Sequence, residues 1–332
     1  MVLVSCSSLI ILDAACSIMP GGIPVSDTMT ESGEIMVGWL IYYKEAAIYN
    51  ERYIQFYREE GRKLDIEVRL ILVEELEFGV RNHTWFLNYR NEQVKMPDFV
   101  ICRAIYPLLS RQLEALGIPV FNNSFIAEIC NDKAKTYQYL AKTGIRMVDT
   151  TFYKNEQLPH LLMDENHVCV IKAVDGHGGN QVFLTGHSHN DISTTNGKQE
   201  IITGIGNADF VIQPLIGSRH QDLRVYVIGT EIIAAVLRTA KEGFKSNFSL
   251  GGEVRLYELS QEEEDIVRKI IKEFDFGLVG IDFLLGDEGE LIFNEIEDVV
   301  GSRMLYQCSD INIVHKYLNY IGNKLHFLGE HN

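Results

Sequence analysis

The sequence predicts a mixed α/β (α+β) protein, a parallel α/β layer followed by two α+β subdomains. Three observations predict it. Between Met36 and Phe121, short apolar runs alternate with helical periodicity, as in a parallel sheet covered by helices. After Gly144 the texture changes to short strands separated by glycine turns. From Phe210 the strands lengthen, and the last two meet at the turn Gly286-Asp287-Glu288-Gly289. At 332 residues the chain is too long for one small core and suits two or three packed subdomains.

Val37–Tyr42 is the first expected strand, because it is a short unbroken apolar run. A helix over Glu45–Glu60 should stop at Gly61. Strands follow at Ile66–Val73 and Asp98–Arg103, then a helix near Pro107–Leu116 closed by Gly117, and a short strand at Ile118–Phe121. Two helices, Ser124–Asn131 and Lys133–Thr143, precede Gly144. Short strands are expected around Thr151 and at Val168–Ala173 and Gln181–Thr185, with a polar connection over His187–Gln199. Phe210–Gln213, Leu223–Ile228, Glu231–Arg238, Gly280–Leu285 and Leu291–Ile296 read as strands. Gln261–Phe274 and Ile311–Leu325 read as helices. The expected partition is 36–122, 123–205 and 206–328.

Residues 1–35 read differently. They hold no Lys or Arg, and the first basic residue is Lys44. A secretory signal needs a basic start and a longer apolar stretch than Leu9–Leu12 offers. Leu3-Val4-Ser5-Cys6 loosely matches a lipoprotein cleavage box, yet no apolar run precedes it. The segment is expected to be a disordered extension or the product of an upstream start codon, with Met36 as the natural start.

Composition excludes some classes. The net charge of −16 argues against a general nucleic-acid or membrane-surface binder, which would be basic. No apolar run approaches the roughly 18 residues needed to span a bilayer. The six cysteines, at 6, 16, 102, 130, 169 and 308, form no CxxC pair and no zinc-ligand spacing, which points to a reducing cytoplasm.

The chemistry-bearing residues lie in the second half. Asp282 is followed thirteen residues later by Glu295 and then Glu297. Residues i and i+2 of a strand share a face, so Glu295 and Glu297 point one way and Asn294 the other. Asp282, on the preceding strand of the hairpin, can join them. Three converging carboxylates repel unless cations hold them, and hard oxygens suit Mg²⁺ on nucleotide phosphates. A solvated acidic face is the competing reading, weakened by the apolar character of both strands.

Lys172 ends an apolar run and either snorkels to solvent or points a charge into a site. The loop Asp175–Asn180 contains Gly176, Gly178 and Gly179 and is either a plain hairpin turn or a phosphate cradle. Its His177 is read as an ordinary loop residue. Arg224 and Arg238 interrupt buried strand patterns and need anionic partners, from the protein or from a substrate.

The order and spacing of these pieces resembles the ATP-grasp superfamily, and most closely the RimK-type α-L-glutamate ligases. The resemblance runs from about Asn131 to Tyr320, carried by Asn131-Asp132-Lys133, Val170-Ile171-Lys172, Gly176–Gly179, Gln213–Ile216, Asp222-Leu223-Arg224, Arg238, Lys245–Asn247, Gly251-Gly252, Asp282 and Glu295-Ile296-Glu297. It implies an ATP-grasp fold, in which the N-terminal parallel α/β layer precedes two α+β subdomains that clasp ATP. It assigns Lys133 and Lys172 to the ATP phosphates, with Gly178 and Gly179 closing over them. Gln213, Pro214 and Leu215 would hold adenine and Asp222 the ribose. Lys245, Ser246 and Asn247 would lie against the phosphates, and Arg238 at the acyl phosphate. Asp282, Glu295 and Glu297 would bind Mg²⁺, two ions, with Mn²⁺ as an alternative. One position departs from the pattern, which usually has Asn where this chain has Glu297.

The implied activity is ATP-dependent joining of a carboxylate to an amine through an acyl phosphate. The implied partners are ATP, a carboxylate such as glutamate, and an amine on an amino acid, peptide or protein tail. Neither nucleic acid nor membrane is expected. Homo-oligomers are common among such ligases, but no residue pattern here marks an interface. A small-molecule kinase on the same scaffold and a nucleotide-binding module without turnover are the alternatives.

Overall fold

The run Met36–Tyr42 (β1) is apolar on both faces and forms a strand only where both faces are covered. A computed structural model describes residues 35–163, 168–179, 181–185, 195–218, 220–239 and 253–329, and in it β1 lies inside a parallel sheet. After β1 come α1 (Lys44–Tyr49), α2 (Glu51–Arg62) and β2 (Ile66–Leu72). An antiparallel meander of β3 (Leu76–Arg81), β4 (Thr84–Tyr89) and β5 (Glu92–Gln93) follows, then β6 (Phe99–Cys102), α3 (Pro107–Ala115) and β7 (Val120–Phe121). The parallel sheet has the order β2-β1-β6-β7. Leu40, Val68 and Phe99 on one face pack against Ile54 and Tyr57 of α2. Trp39, Ile41 and Val100 on the other pack against Leu109 and Leu113 of α3 and Leu87 of β4.

Two local expectations are corrected here. The single helix expected over Glu45–Glu60 is two, broken at Asn50, whose side-chain amide donates to the Ala46 carbonyl at 2.8 Å. Gly61 does not stop α2 but lies inside it. A Cβ there would come within 2.7 Å of the Ile66 carbonyl oxygen, so glycine serves the close approach of α2 to β2. The meander was not expected at all. Its reversals at Asn82-His83 and Arg90-Asn91 have positive φ at both residues but contain no glycine, which removes the usual hairpin signature.

The second part opens with α4 (Ser124–Cys130), α5 (Lys133–Leu140), β8 (Thr151–Tyr153), α6 (Leu158–Leu161), β9 (Cys169–Ala173), β10 (Val182–Thr185), α7 (Thr195–Ile205) and β11 (Phe210–Pro214). It closes with β12 (Gln221–Ile228), β13 (Glu231–Thr239), β14 (Glu253–Tyr257), α8 (Gln261–Ile271), β15 (Leu278–Leu285), β16 (Leu291–Glu297), α9 (Arg303–Cys308) and α10 (Ile313–Gly329). A four-stranded antiparallel sheet has the order β10-β9-β11-β8, and a five-stranded antiparallel sheet the order β14-β13-β12-β15-β16. The connection expected over His187–Gln199 becomes helical from Thr195, because Ile201 and Ile205, one turn apart, bury against the four-stranded sheet. Two segments cross the partition read from the sequence. The strand β11 pairs with β9 and β8 in the smaller sheet. Helices α4 and α5 pack on the larger one, through Ile126, Tyr137 and Leu140.

The five-stranded sheet fixes the site by simple alternation. Leu223, Val225, Leu237, Ile281, Phe283 and Ile296 point into the core beneath α4, α5 and α8. The intervening residues face the other way, where Tyr226, Ile228, Val236 and Leu278 pack against the core shared with the N-terminal layer and α10. Charged residues stand on this second face. Residues 1–34, most of the expected extension, lie outside the described residues. No helix among the described residues is long and apolar enough to cross a membrane.

Candidate nucleotide and metal site

Four strands bring the charges together by register. Asp222 is opposite Arg238, Arg224 opposite Asp282, Asp282 opposite Glu295, and Gly280 opposite Glu297. Arg224 donates Nε to Asp282 Oδ1 at 2.7 Å and Nη2 to Oδ2 at 2.6 Å, and its Nη1 pairs with Glu297 at 2.8 Å. Arg238 donates Nη2 to Asp282 Oδ2 at 2.8 Å and Nε to Asp222. Both guanidiniums and the Asp282 carboxylate are buried. Burial alone would raise the Asp282 carboxyl, but Arg224 and Arg238 together hold it below the ordinary carboxylate range. Burial pushes Glu297 up, and the nearby Asp282 and Glu295 carboxylates add to the rise against the pull of Arg224. Burial also acts against ionised Glu295, but the Lys133 and Lys172 ammoniums together lower this carboxyl.

A bulge between Phe293 and Glu295 gives the site a member that alternation missed. Asp282 pairs with Glu295 but Phe283 pairs with Phe293, so Asn294 is an extra residue. It was expected to face away from Glu295. Instead its Oδ1 accepts from Lys172 Nζ at 2.8 Å, and both Asn294 and Glu295 line one cleft.

That cleft lies where the two antiparallel sheets meet. From β9 it receives Lys172, and from the β9–β10 loop Gly176, Gly178 and Gly179. Gly178 and Gly179 have φ of 64° and 77°, a left-handed conformation that glycine adopts without strain. Lys133, the first residue of α5, donates to the Gly176 carbonyl at 2.6 Å and pairs with Glu295 at 3.2 Å. Burial pulls the Lys172 ammonium down to about 8, and Lys133 adds to the effect. Burial likewise lowers His177. Gln213 and Pro214, on the neighbouring strand β11, continue the lining with Leu215 and Ile216, and Asp222 enters from β12 of the five-stranded sheet. Gln213 is buried and donates Nε2 to Thr150 Oγ1 at 2.8 Å, while its Oε1 has no partner among the described residues.

The structure thus brings Lys133, Lys172, Gly178, Gly179, Gln213, Pro214, Leu215, Asp222 and Glu295 to one cleft. Asp282, Glu297 and Arg238 join it through the ion pairs. Lys245, Ser246, Asn247 and the Gly251-Gly252 pair lie outside the described residues. Arg224, expected only to need an anion, proves to be the hub that ties Asp282 to Glu297. Oxygens of Asp282, Glu295 and Glu297 lie within 4.8 Å of one another, close enough to share one cation. The donor set is all carboxylate oxygen, as Mg²⁺ requires. Three of the roughly four lone-pair positions of Asp282 accept from arginine, which leaves one for a metal.

The family model described as the RimK-like ATP-grasp domain matches residues 130–321, more than half of the chain. A probable alpha-L-glutamate ligase of Legionella pneumophila is 30% identical over 219 residues, covering 64% of this chain and 70% of that protein. The MG011 protein of Mycoplasma genitalium is 29% identical over 258 residues, 76% of this chain and 80% of that one. Among solved structures, the ATP-grasp ligase PsnB in complex with minimal precursor, Mg and ADP superimposes with a TM-score of 0.60 at 15% identity, covering 87% of this chain and 98% of that one. The RimK-domain ATP-grasp protein of Sphaerobacter thermophilus gives 0.61 at 14% identity, with 86% and 98% covered. The chain belongs to the RimK-like ATP-grasp family of carboxylate–amine ligases.

Proposed function

We propose that this cleft binds ATP with Mg²⁺ and that the chain joins an amino-acid carboxylate to an amine through an acyl phosphate. The observation that carries the reading is the convergence of Lys133, Lys172 and Glu295 on one cleft walled by Gln213–Leu215. In the described cluster four cations, Lys133, Lys172, Arg224 and Arg238, already face four carboxylates, Asp222, Asp282, Glu295 and Glu297. A polyanionic nucleotide therefore needs added positive charge, which supports two divalent ions rather than one, with Mn²⁺ as a substitute. Asp282, Glu295 and Glu297 would hold them. Bound there, the ions neutralise charge on the phosphate oxygens as transfer proceeds.

In this reading Gln213 Oε1 accepts a hydrogen bond from the adenine amine, while the Pro214–Leu215 backbone lies along the ring edge. Asp222 lies beside the ribose. Lys133 and Lys172 hold the phosphates, with Gly178 and Gly179 above them and Lys245, Ser246 and Asn247 contributing from beyond the described residues. A carboxylate oxygen forms a bond to the γ-phosphorus as the β–γ bridging bond breaks and ADP leaves. The amine nitrogen then bonds to the acyl carbon, the acyl C–O bond breaks, phosphate leaves and the nitrogen sheds a proton. Arg238 neutralises charge at the acyl phosphate. Catalysis is positioning and charge stabilisation, with no covalent enzyme intermediate. The cleft holds about 100 Å³ of free space, below the roughly 300 Å³ at which ligand pockets begin. ATP entry therefore requires the cleft to widen.

The probable glutamate ligases among the relatives support glutamate as the carboxylate, and the complex of PsnB with a precursor peptide supports a peptide as the other substrate. The described cysteines, Cys102, Cys130, Cys169 and Cys308, are free, which supports a cytoplasmic setting. The test is Mg²⁺-dependent phosphate release from ATP across a matrix of amino acids and peptides, with Glu295→Gln as control. Release tied to one carboxylate–amine pair, with a new amide in the products, establishes the ligase. A stable phosphate ester instead of an amide overturns it in favour of a kinase.

A further inference from the structure

The edge strand β2 lies away from this cleft. It pairs with β1 on one side and with no strand on the other among the described residues. A groove of about 700 Å³ runs along it from Ile66 to Ile71 and shares no residue with the nucleotide cleft. Helix α2 walls one side with Arg58 and Arg62, and the β4–β5 region walls the other with Tyr89 and Lys95. Free sheet edges are commonly guarded by charge, and the Glu67–Arg69 pair on β2, at 2.8 Å, is such a guard. The walls carry more than a guard needs. Arg58, Arg62 and Lys95 have no acidic partner among the described residues. In a protein of net charge −16, the groove gathers four cations against the single acid Glu67.

We propose that this groove binds an extended acidic segment of a partner polypeptide, which adds to β2 as a further strand. From Ile66 to Ile71, β2 offers about 20 Å of edge facing away from β1, enough to hold a short peptide by main-chain hydrogen bonds. Alternate side chains of the added strand fall toward the two walls, where Arg58 and Arg62 on one side and Lys95 on the other meet carboxylates. A second copy of this chain fits less well, since two-fold pairing of β2 with itself brings two basic grooves together.

Fluorescence anisotropy with the full chain tests this, using a labelled short peptide in which pairs of adjacent glutamates, one for each wall, are separated by single valines. Two controls replace its glutamates by lysine or its valines by proline, which removes main-chain donors. The glutamate peptide should bind, weaken with salt and outcompete both controls. Arg62→Glu combined with Lys95→Glu, at two exposed positions, should weaken binding at least about tenfold and leave the melting temperature and phosphate release unchanged. Three outcomes overturn the proposal: no binding of the glutamate peptide, equal binding of the proline control, or undiminished binding to the double variant. A dimer in sedimentation that excludes the peptide overturns it in favour of a second copy.

Discussion

Arg224 stands across from Asp282 on neighbouring antiparallel strands and grips both of its carboxylate oxygens. Asp282 also receives Arg238, so one buried carboxylate contacts two buried guanidiniums. Its first role is therefore to hold the arginines in place, and it lends a cation only its remaining lone pair. Asp282→Asn keeps the volume and removes the charge, leaving buried Arg224 with Glu297 alone and buried Arg238 with Asp222 alone. Breaking a buried pair from one side costs about 3–5 kcal/mol. Urea denaturation should show a loss of that order. Glu297→Gln should cost far less, because Arg224 keeps its two bonds to Asp282. Equal losses in the two variants would remove Asp282 from this central position.

Glu295 has a different partner and a different expected phenotype. It pairs with Lys133 at the mouth of the cleft rather than with the arginines. Glu295→Gln should leave the fold intact and reduce Mg²⁺-dependent phosphate release at least about 100-fold, the usual consequence of losing one charge-stabilising group. Near-normal turnover with an unchanged melting temperature would take Glu295 out of the metal site.

Glu297 is where the sequence departs from the family pattern of Asn. Its carboxylate is shared between Arg224 and the carboxylate triad. Glu297→Asn shortens the side chain and removes a charge from the metal ligands. The Mg²⁺ concentration giving half-maximal rate should rise several-fold, since affinity tracks ligand charge. The rate at saturating Mg²⁺ should stay within about threefold of the parent, because Asp282 and Glu295 remain. Activity lost at every Mg²⁺ concentration would show that Glu297 is required for turnover itself.

The expectation of three carboxylates on one face came from the spacing of Asp282, Glu295 and Glu297, and period-two alternation carried most of the site. The same alternation misplaced Asn294, because a bulge inserts one residue into β16 and the sequence carries no mark of it. The need of Arg224 and Arg238 for anions was legible from their apolar flanks. Which anions they meet depends on strand register across β12, β13 and β15, which no single strand encodes. The meander of β3, β4 and β5 stayed hidden because its turns use Asn82-His83 and Arg90-Asn91 in place of glycine. The crossing of β11 into the smaller sheet was equally hidden, since strand pairing is a long-range choice.

Lys172 offers a test in which stability and binding move in opposite directions. Its ammonium is held in the cleft 2.8 Å from Asn294, and burial brings its pKa down from 10.5 to about 8. Below about pH 8 both the folded and unfolded chains carry this proton, so the folded state bears the full cost of burying the charge. Between about pH 8 and 10.5 the folded chain has shed the proton and the unfolded chain has not, so stability rises with pH and the cost fades. Lys172→Met removes the charge and keeps an unbranched stem. Without nucleotide it should melt roughly 2–5 °C above the parent at pH 7, with the gap closing toward pH 10.5. ATP phosphates supply the missing counter-charge, so Mg²⁺ with ATP should raise the melting temperature of the parent and leave the variant nearly unmoved. A variant that melts lower at pH 7 and still responds to ATP would make Lys172 a structural partner of Asn294 instead of a phosphate ligand.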